Sequence, residues 1–308
     1  MEQVLELKHI HYSYHTLDGE TPALVDISFS VEKGEFIAIV GPSGCGKTTL
    51  LSLISGLLIP ERGLIKINGK YLTESTTNVG YMLQHDELFE WRTIYHNVVL
   101  GLEIQHMMTA KTRQRAHELL DFYGLKQFKN SRPSELSGGM RQRAALIRTM
   151  ALEPDILLLD EPTLGVDVQG THRIWDYVRR FKGEGRTVLV STNVMAEADA
   201  LADEILLLDR GRKVRFGTPE ELKTEAGSTV VRITSVSGSR VDETALRERL
   251  GSFSFDGEAI VVDAPCGEAD LARILGLVEG AVEIAGVELH RPTLDDAFLA
   301  LTGRSLRD

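Results

Sequence analysis

The stretch GPSGCGKTT (41–49) constrains this chain more than any other. It follows the apolar run EFIAIV (35–40) and precedes LLSLISGLL, so it satisfies G-x-x-x-x-G-K-[ST] in the strand–loop–helix setting that gives the pattern its meaning. Glycines let successive backbone N–H groups turn inward around phosphate oxygens, and the start of the following helix adds a partial positive charge. On this reading Gly41, Pro42, Ser43, Gly44, Cys45, Gly46, Lys47, Thr48 and Thr49 cradle the phosphates of a nucleotide. Lys47 reaches the terminal phosphates and the Thr48 hydroxyl sits on Mg²⁺. Cys45 reads as a small packing residue of the loop rather than a nucleophile.

EFIAIV, DILLLD (155–160), TVLVS (187–191) and EILLLD (204–209) are short continuous apolar runs, the pattern of strands covered on both faces. They predict an α/β domain over residues 1–225 with a mostly parallel sheet. Between 92 and 151 there is no comparable run, and TAKTRQRAHELLDFYGL and GGMRQRAALIRTMAL read as an α-helical insertion. DILLLDEP ends its strand in two carboxylates: Asp160 is placed to act on Mg²⁺ and Glu161 to polarise an attacking water. Ligands gather at strand C-termini in such sheets, so the pair and the phosphate loop belong together.

The composition shifts after Lys223. From residue 226 there is no lysine, and 8 Arg face 14 Asp plus Glu. TVVRITS (229–235), DETALRERL (242–250), FSFDGEAIVVD (253–263), EADLARILGLVEG (268–280) and AVEIAGVELHR (281–291) give strand, helix, hairpin, helix, strand. This is the βαββαβ order of a small α+β ferredoxin-like module over 226–308, closed by the helix PTLDDAFLALTG.

The formal net charge of −11 argues against broad nucleic-acid binding. LLSLISGLLI (50–59) is too short and broken to span a bilayer, and MEQVLELKHI lacks the form of a secretory signal. Cys45 and Cys266 provide no disulfide framework, which suits a reducing cytosol. His85, His96, His106, His117 and the HIHYSYH stretch show no metal-ligand spacing.

ELSGGMRQR (135–143) has the chemistry of a second anion site: Ser137 can cap a helix, Gly138 and Gly139 expose N–H groups, and the helix dipole points at what docks there. With the phosphate loop, the carboxylate pair and their order, the chain resembles the ATP-binding cassette (ABC) family over residues 1 to about 225, LSGGMRQ matching its signature. The resemblance implies an ATPase using ATP and Mg²⁺, a P-loop fold with a helical subdomain over about 92–151, and a sandwich of two such chains, a homodimer or a paired ATPase subunit. In that sandwich each Ser137–Gly138–Gly139 faces the other chain's phosphate loop. It also implies that Tyr14 stacks on adenine, with Tyr12 as runner-up. Gln84 in VGYMLQHDELF contacts Mg²⁺ and links the lobes, and Asp167 in TLGVD communicates across the dimer.

In VSTNVMAEADAL the family's usual spacing holds at Thr192, Glu197 and Ala198, but Asn193 stands where a γ-phosphate-sensing histidine is usual. An amide can donate to phosphate but cannot carry a proton, so the substitution bears on rate and not on ATP binding.

Lacking a span of its own, a transport ATPase needs a separate transmembrane permease, which would hold it at the cytoplasmic face of the membrane. HDELFEWRTIYHNVVLGLEIQ (85–105) is similar to importer ATPases for nitrate, sulfonate and taurine. STNVMAEADALADEILLLDRGRKVRFGTPEEL and the closing RPTLDDAFLALTG resemble drug-resistance and ABC-2-type export ATPases. The closing motif lies in an appended domain and favours export. Import, a non-transport soluble ABC ATPase and a slow regulatory subunit stand as alternatives.

Overall fold

The protein is described here from a computed structural model covering residues 2–17, 19–73, 78–236, 241–257, 259–265 and 267–303. Cys266, and Glu258 at the tip of the expected hairpin, lie outside the described residues. The chain divides into two units, one ending at Pro219 and the other beginning at Glu220.

The first unit begins with β1 (Gln3–Thr16), β2 (Gly19–Glu32), β3 (Phe36–Val40), α1 (Lys47–Ile54), β4 (Arg62–Ile67), β5 (Lys70–Tyr71) and β6 (Val79–Met82). Next come α2 (Ile94–Val98), α3 (Leu100–Ile104), α4 (Ala110–Phe122) and α5 (Gly138–Met150). It closes with β7 (Ile156–Asp160), α6 (Val168–Gly183), β8 (Thr187–Thr192), α7 (Met195–Leu201), β9 (Glu204–Asp209) and β10 (Arg212–Gly217). The four apolar runs are the inner strands of a six-stranded sheet, β10-β9-β3-β8-β7-β6. All its neighbours are parallel except the edge pair β10–β9.

Both faces of this sheet are covered, which is why the runs are apolar without alternation. Leu157 and Leu159 of β7 point into one core with the helical insertion and α6, where Ile147, Met150, Trp175 and Phe181 pack. Ile156 and Leu158 point into the opposite core, with α1 and the β1–β2–β4 side. Each such Leu or Ile contributes roughly 1.5–3 kcal/mol by leaving water, on either face. The segment 92–151 is helical: Thr109 and Thr112 form a reciprocal cap on α4, which buries Ala116 and Leu120 one turn apart.

The sequence patterns did not reveal a second, antiparallel sheet, β2-β1-β4-β5, built on two strands of 14 residues. The β1–β2 pairing shifts register between Leu7 and Ile10 and again between Ile10 and Tyr12, with His9 at φ 51° and Asp26 at φ 57°. These irregularities break the alternation that marks a strand. The apolar run after the phosphate loop is also a shorter helix than its length suggests: α1 ends at Ile54, and Gly56 turns the chain at φ 76°.

α8 (Pro219–Ala226) spans both the unit boundary and the compositional shift near residue 225. The second unit runs β11 (Val230–Ser235), α9 (Glu243–Leu250), β12 (Ser254–Asp256), β13 (Ala259–Asp263), α10 (Glu268–Val278) and β14 (Ile284–His290). That is a βαββαβ order, in a four-stranded sheet β12-β13-β11-β14 whose neighbours are all antiparallel. Val231, Ile233, Ile260, Val262, Leu246 and Ile274 form its own core. α11 (Leu294–Thr302) follows, opened by a Thr293–Asp296 capping box and closed by Gly303 in the left-handed region.

Since each unit has a separate core, a fragment of residues 1–225 is expected to unfold in one cooperative urea transition, with an m-value below that of the full chain. Circular dichroism checks this, and a fragment with no cooperative transition would show that the first unit depends on the second.

Candidate functional site

The sheet delivers the candidate residues to one edge. β3 runs into the phosphate loop, β8 into Asn193, β7 into Asp160 and Glu161, and β6 into the segment holding Gln84. These four strands are consecutive in the sheet order β3-β8-β7-β6 and parallel, so their C-terminal ends converge. The register places Val40 beside Thr192 and Asp160 beside Ser191.

The phosphate loop needs its glycines for space. A Cβ on Gly41 would strike the Leu208 carbonyl oxygen, and one on Gly46, already at φ 108°, would lie 2.7 Å from the Ala23 carbonyl oxygen. Ser43, Gly44 and Thr48 are exposed, whereas Pro42 and Thr49 are buried. Cys45 is buried, and burial pushes its thiol up despite the neighbouring Lys47, so it packs rather than reacts.

Lys47 is only 5% exposed. Its ammonium donates to the carbonyl oxygens of Gly41 (2.8 Å) and Pro42 (3.2 Å) and lies 3.6 Å from Glu161 Oε1. The other Glu161 oxygen accepts from Gln84 Nε2 at 2.9 Å. Lys47, Glu161 and Gln84 thus form one contact chain, although they lie far apart in sequence.

Ser191 joins the two carboxylate residues and was not among the residues singled out by motif. Its hydroxyl donates to Asp160 Oδ1 and accepts from the Glu161 backbone N–H at 3.0 Å. The same N–H also faces the Ser191 carbonyl at 3.1 Å, and Glu161 stands at φ 46°. On the other side of Asp160, the Tyr81 hydroxyl lies 3.5 Å from Oδ2. Burial raises the Tyr81 phenol out of its ordinary range, with Ser52 opposing and the Asp160 charge adding, so Tyr81 remains a donor.

Tyr14, 44% exposed, lies 3.1 Å from Thr49 Oγ1 through its hydroxyl. Tyr12 meets it edge-on at 5.2 Å between ring centres but packs against the apolar core. Asn193 is exposed at the strand-to-helix corner. Beneath it Thr192 and Thr163 both contact Glu197 Oε2, at 3.3 and 3.1 Å, fixing the corner to the loop that follows Glu161. Asp167 is the N-cap of α6 and accepts from Gly170 N–H at 2.6 Å. Ser137 caps α5 by accepting from Met140 N–H, and Gly138 opens on free space. Among the described residues, Ser137–Gly139 makes no hydrogen bond to the phosphate loop.

A family model described as ABC transporter matches residues 24–164. The daunorubicin resistance ATP-binding protein of Streptomyces coeruleorubidus is 34% identical over 94% of this chain and 94% of its own. Nod factor export ATP-binding protein I of Ralstonia nicotianae is 35% identical over 94% of this chain and 92% of its own. An uncharacterized ABC transporter ATP-binding protein of Bacillus subtilis is 45% identical over 66% of this chain and 78% of its own. A dimeric ATP-binding cassette solved in a post-hydrolysis state with ADP and phosphate is similar at 29% identity and TM-score 0.65, covering 70% of this chain and 98% of that one. With the loop, the carboxylates and the signature helix in place on this sheet, the chain belongs to the ABC transporter ATP-binding proteins and is an ATPase subunit of that family.

Proposed function

We propose that this chain hydrolyses ATP to energise export through a separate membrane subunit. The observation that carries the chemistry is the Lys47–Glu161–Gln84 contact chain beside Asp160. In this reading the loop from Gly41 to Thr49 holds the phosphates, which the close backbone at Gly41 and Gly46 suits, and Tyr14 flanks the adenine. The Asp160 carboxylate, the exposed Thr48 hydroxyl and the Gln84 amide oxygen are hard oxygen donors of the kind Mg²⁺ takes. Bound there, Mg²⁺ would neutralise charge on the phosphates. Glu161 orients the attacking water, Lys47 faces the charge that develops on the phosphoryl group, and the exposed Asn193 amide donates to the γ-phosphate.

Export is supported by the relatives that match through the second unit, since those spanning 94% of the chain are named for drug resistance and Nod factor export. Among the described residues no helix is long and apolar enough to cross a membrane. The segment 89–107, which leads into the helical insertion and through its first helices, instead exposes Phe89 and Trp91, their rings tilted with centres 4.6 Å apart, together with Ile104 and Met107. Exposed apolar side chains of this kind suit a membrane subunit that covers them and holds the chain at the cytoplasmic face. It also separates this reading from that of a stand-alone ATPase. Pairing with a second ATPase chain completes the site, each Ser137–Gly139 meeting the other chain's phosphates and Asp167 lying near the join. The second unit adjusts that pairing or the coupling to the partner.

Glu161→Gln is expected to bind ATP and accumulate as a dimer, because the water-orienting carboxylate is lost while the phosphate cradle remains. Sizing chromatography with ATP and Mg²⁺ tests this, and a variant that stays monomeric and turns over normally would sink the assignment.

Asn193 favours a slow ATPase, since its amide cannot carry a proton. Asn193→His is expected to raise turnover about tenfold, or about 1.4 kcal/mol, with little change in apparent ATP affinity, and Asn193→Ala to lower it. Equal steady-state rates for all three forms would show that Asn193 is only a turn residue.

A further inference from the structure

Three side chains of α5, the helix opened by the signature, reach across to the segment 84–87 that carries Gln84. Arg148 donates from Nη1 to the Glu87 carbonyl at 2.6 Å and from Nη2 to the Asp86 carbonyl at 2.8 Å. Arg141, seven residues earlier and so on the same helix face, donates from Nε to Asp86 Oδ2 at 2.9 Å. Gln142 donates from Nε2 to the carbonyl of Gln84 itself at 3.3 Å, and its buried Oε1 has no hydrogen-bond partner among the described residues. Asp86 in turn accepts from Leu88 N–H at 3.1 Å, and Glu87 stands at φ 46°.

A guanidinium that forks onto two successive carbonyls fixes the peptide planes on both sides of the residue between them. Here that residue is Glu87, held at a positive φ that a residue with a side chain adopts only when its surroundings enforce it. The segment therefore takes its path from α5 rather than from its own preference. Arg148 is half-buried: burial lowers it from its ordinary value, opposed by Asp86 and Glu87, and its fork reaches from the half-buried Asp86 carbonyl out to the carbonyl of the exposed Glu87.

We infer that Arg148 is a positioning residue for ATP hydrolysis, holding the 84–87 segment so that Gln84 stays on Glu161 at the phosphate end of the site. Arg141 and Gln142 belong to the same clamp. α5 begins at Ser137–Gly139, so whatever draws that helix end also bears on the Gln84–Glu161 contact through one rigid element. The inference rests on the proposed roles of Gln84 and Glu161. Arg148 itself touches neither of them: it acts through the two carbonyls.

The test is a double-mutant cycle on the full-length chain, measuring Mg²⁺-dependent ATP hydrolysis at a temperature where circular dichroism shows every variant folded. Arg148→Ala is expected to lower kcat about tenfold with KM for ATP within about twofold, because the phosphate cradle is untouched. Arg148→Lys is expected to recover little, since a single ammonium cannot fork onto both carbonyls. Gln84→Ala is expected to be at least as slow as Arg148→Ala, and the Gln84→Ala/Arg148→Ala double variant no slower than Gln84→Ala alone within about twofold. A folded Arg148→Ala enzyme with wild-type kcat, or a double variant whose losses multiply, would overturn the inference. Wild-type turnover in Gln84→Ala would instead overturn the assigned role of Gln84, and the inference with it.

Discussion

A lysine ammonium 5% exposed to solvent must find oxygen partners inside the protein, and the surroundings of Lys47 follow from that need. Two carbonyls of the loop and the Glu161 carboxylate, just past the end of β7, supply them. The loop can turn its carbonyls toward Lys47 only because Gly41 and Gly46 let its backbone approach β9 and β2 closely. The carboxylate can reach only because β7 ends level with β3, two strands away across β8. A charge that one residue brings indoors thus fixes both the loop and the sheet edge. Phosphate oxygens are a natural exchange for those partners, since they offer the ammonium more charge than a carbonyl does.

How much of this was legible in the sequence divides by the range of the interaction. The strands β3, β7, β8 and β9 were legible because burial on both faces leaves a continuous apolar run, and α5 because Ser137 and its glycines sit where a helix must begin. The β1–β2 pair was not, because its bulges at Leu7–Tyr12 interrupt the alternation and the outer half of β2 is exposed. Asn193, Gln84 and Tyr14 stood out through family spacing. Ser191 has no such mark: it is one small residue inside an apolar strand, and its importance comes from the register that sets it beside Asp160, 31 residues away in sequence. Arg148 likewise looks like a helix-face arginine until α5 is laid against the segment 84–87, more than 60 residues upstream.

Asp167 and Ser137 show how a local role leaves room for a distant one, here the proposed contact with a second chain. Each caps a helix within its own chain, accepting from Gly170 and Met140 respectively, an interaction worth about 1 kcal/mol. Neither cap uses up the helix start, because later N–H groups and the dipole still face outward. A residue with a sufficient local reason to be there can therefore also serve a partner: helix-start chemistry accounts for the cap, and only the family resemblance points to the partner.

The placement of Glu161 follows the same logic at shorter range. Its φ of 46° costs on the order of 1–3 kcal/mol for a residue with a side chain, so the peptide holds that shape only if its neighbours enforce it. Ser191 does so twice, meeting the Glu161 N–H with its hydroxyl and with its carbonyl oxygen. The position of the Glu161 carboxylate, proposed to orient the attacking water, is then set by β8 more than by β7, the strand that leads to it. Since β8 also ends in Asn193 and lies beside β3, the strand that opens the phosphate loop, one buried strand places three parts of the site relative to one another. A shift of β8 along its axis would move Glu161, the Asn193 corner and the Ser191 bond to Asp160 together. This rigidity is what a reaction run by positioning and fixed charge requires, since its rate depends on groups that need not reorganise when the phosphoryl group moves.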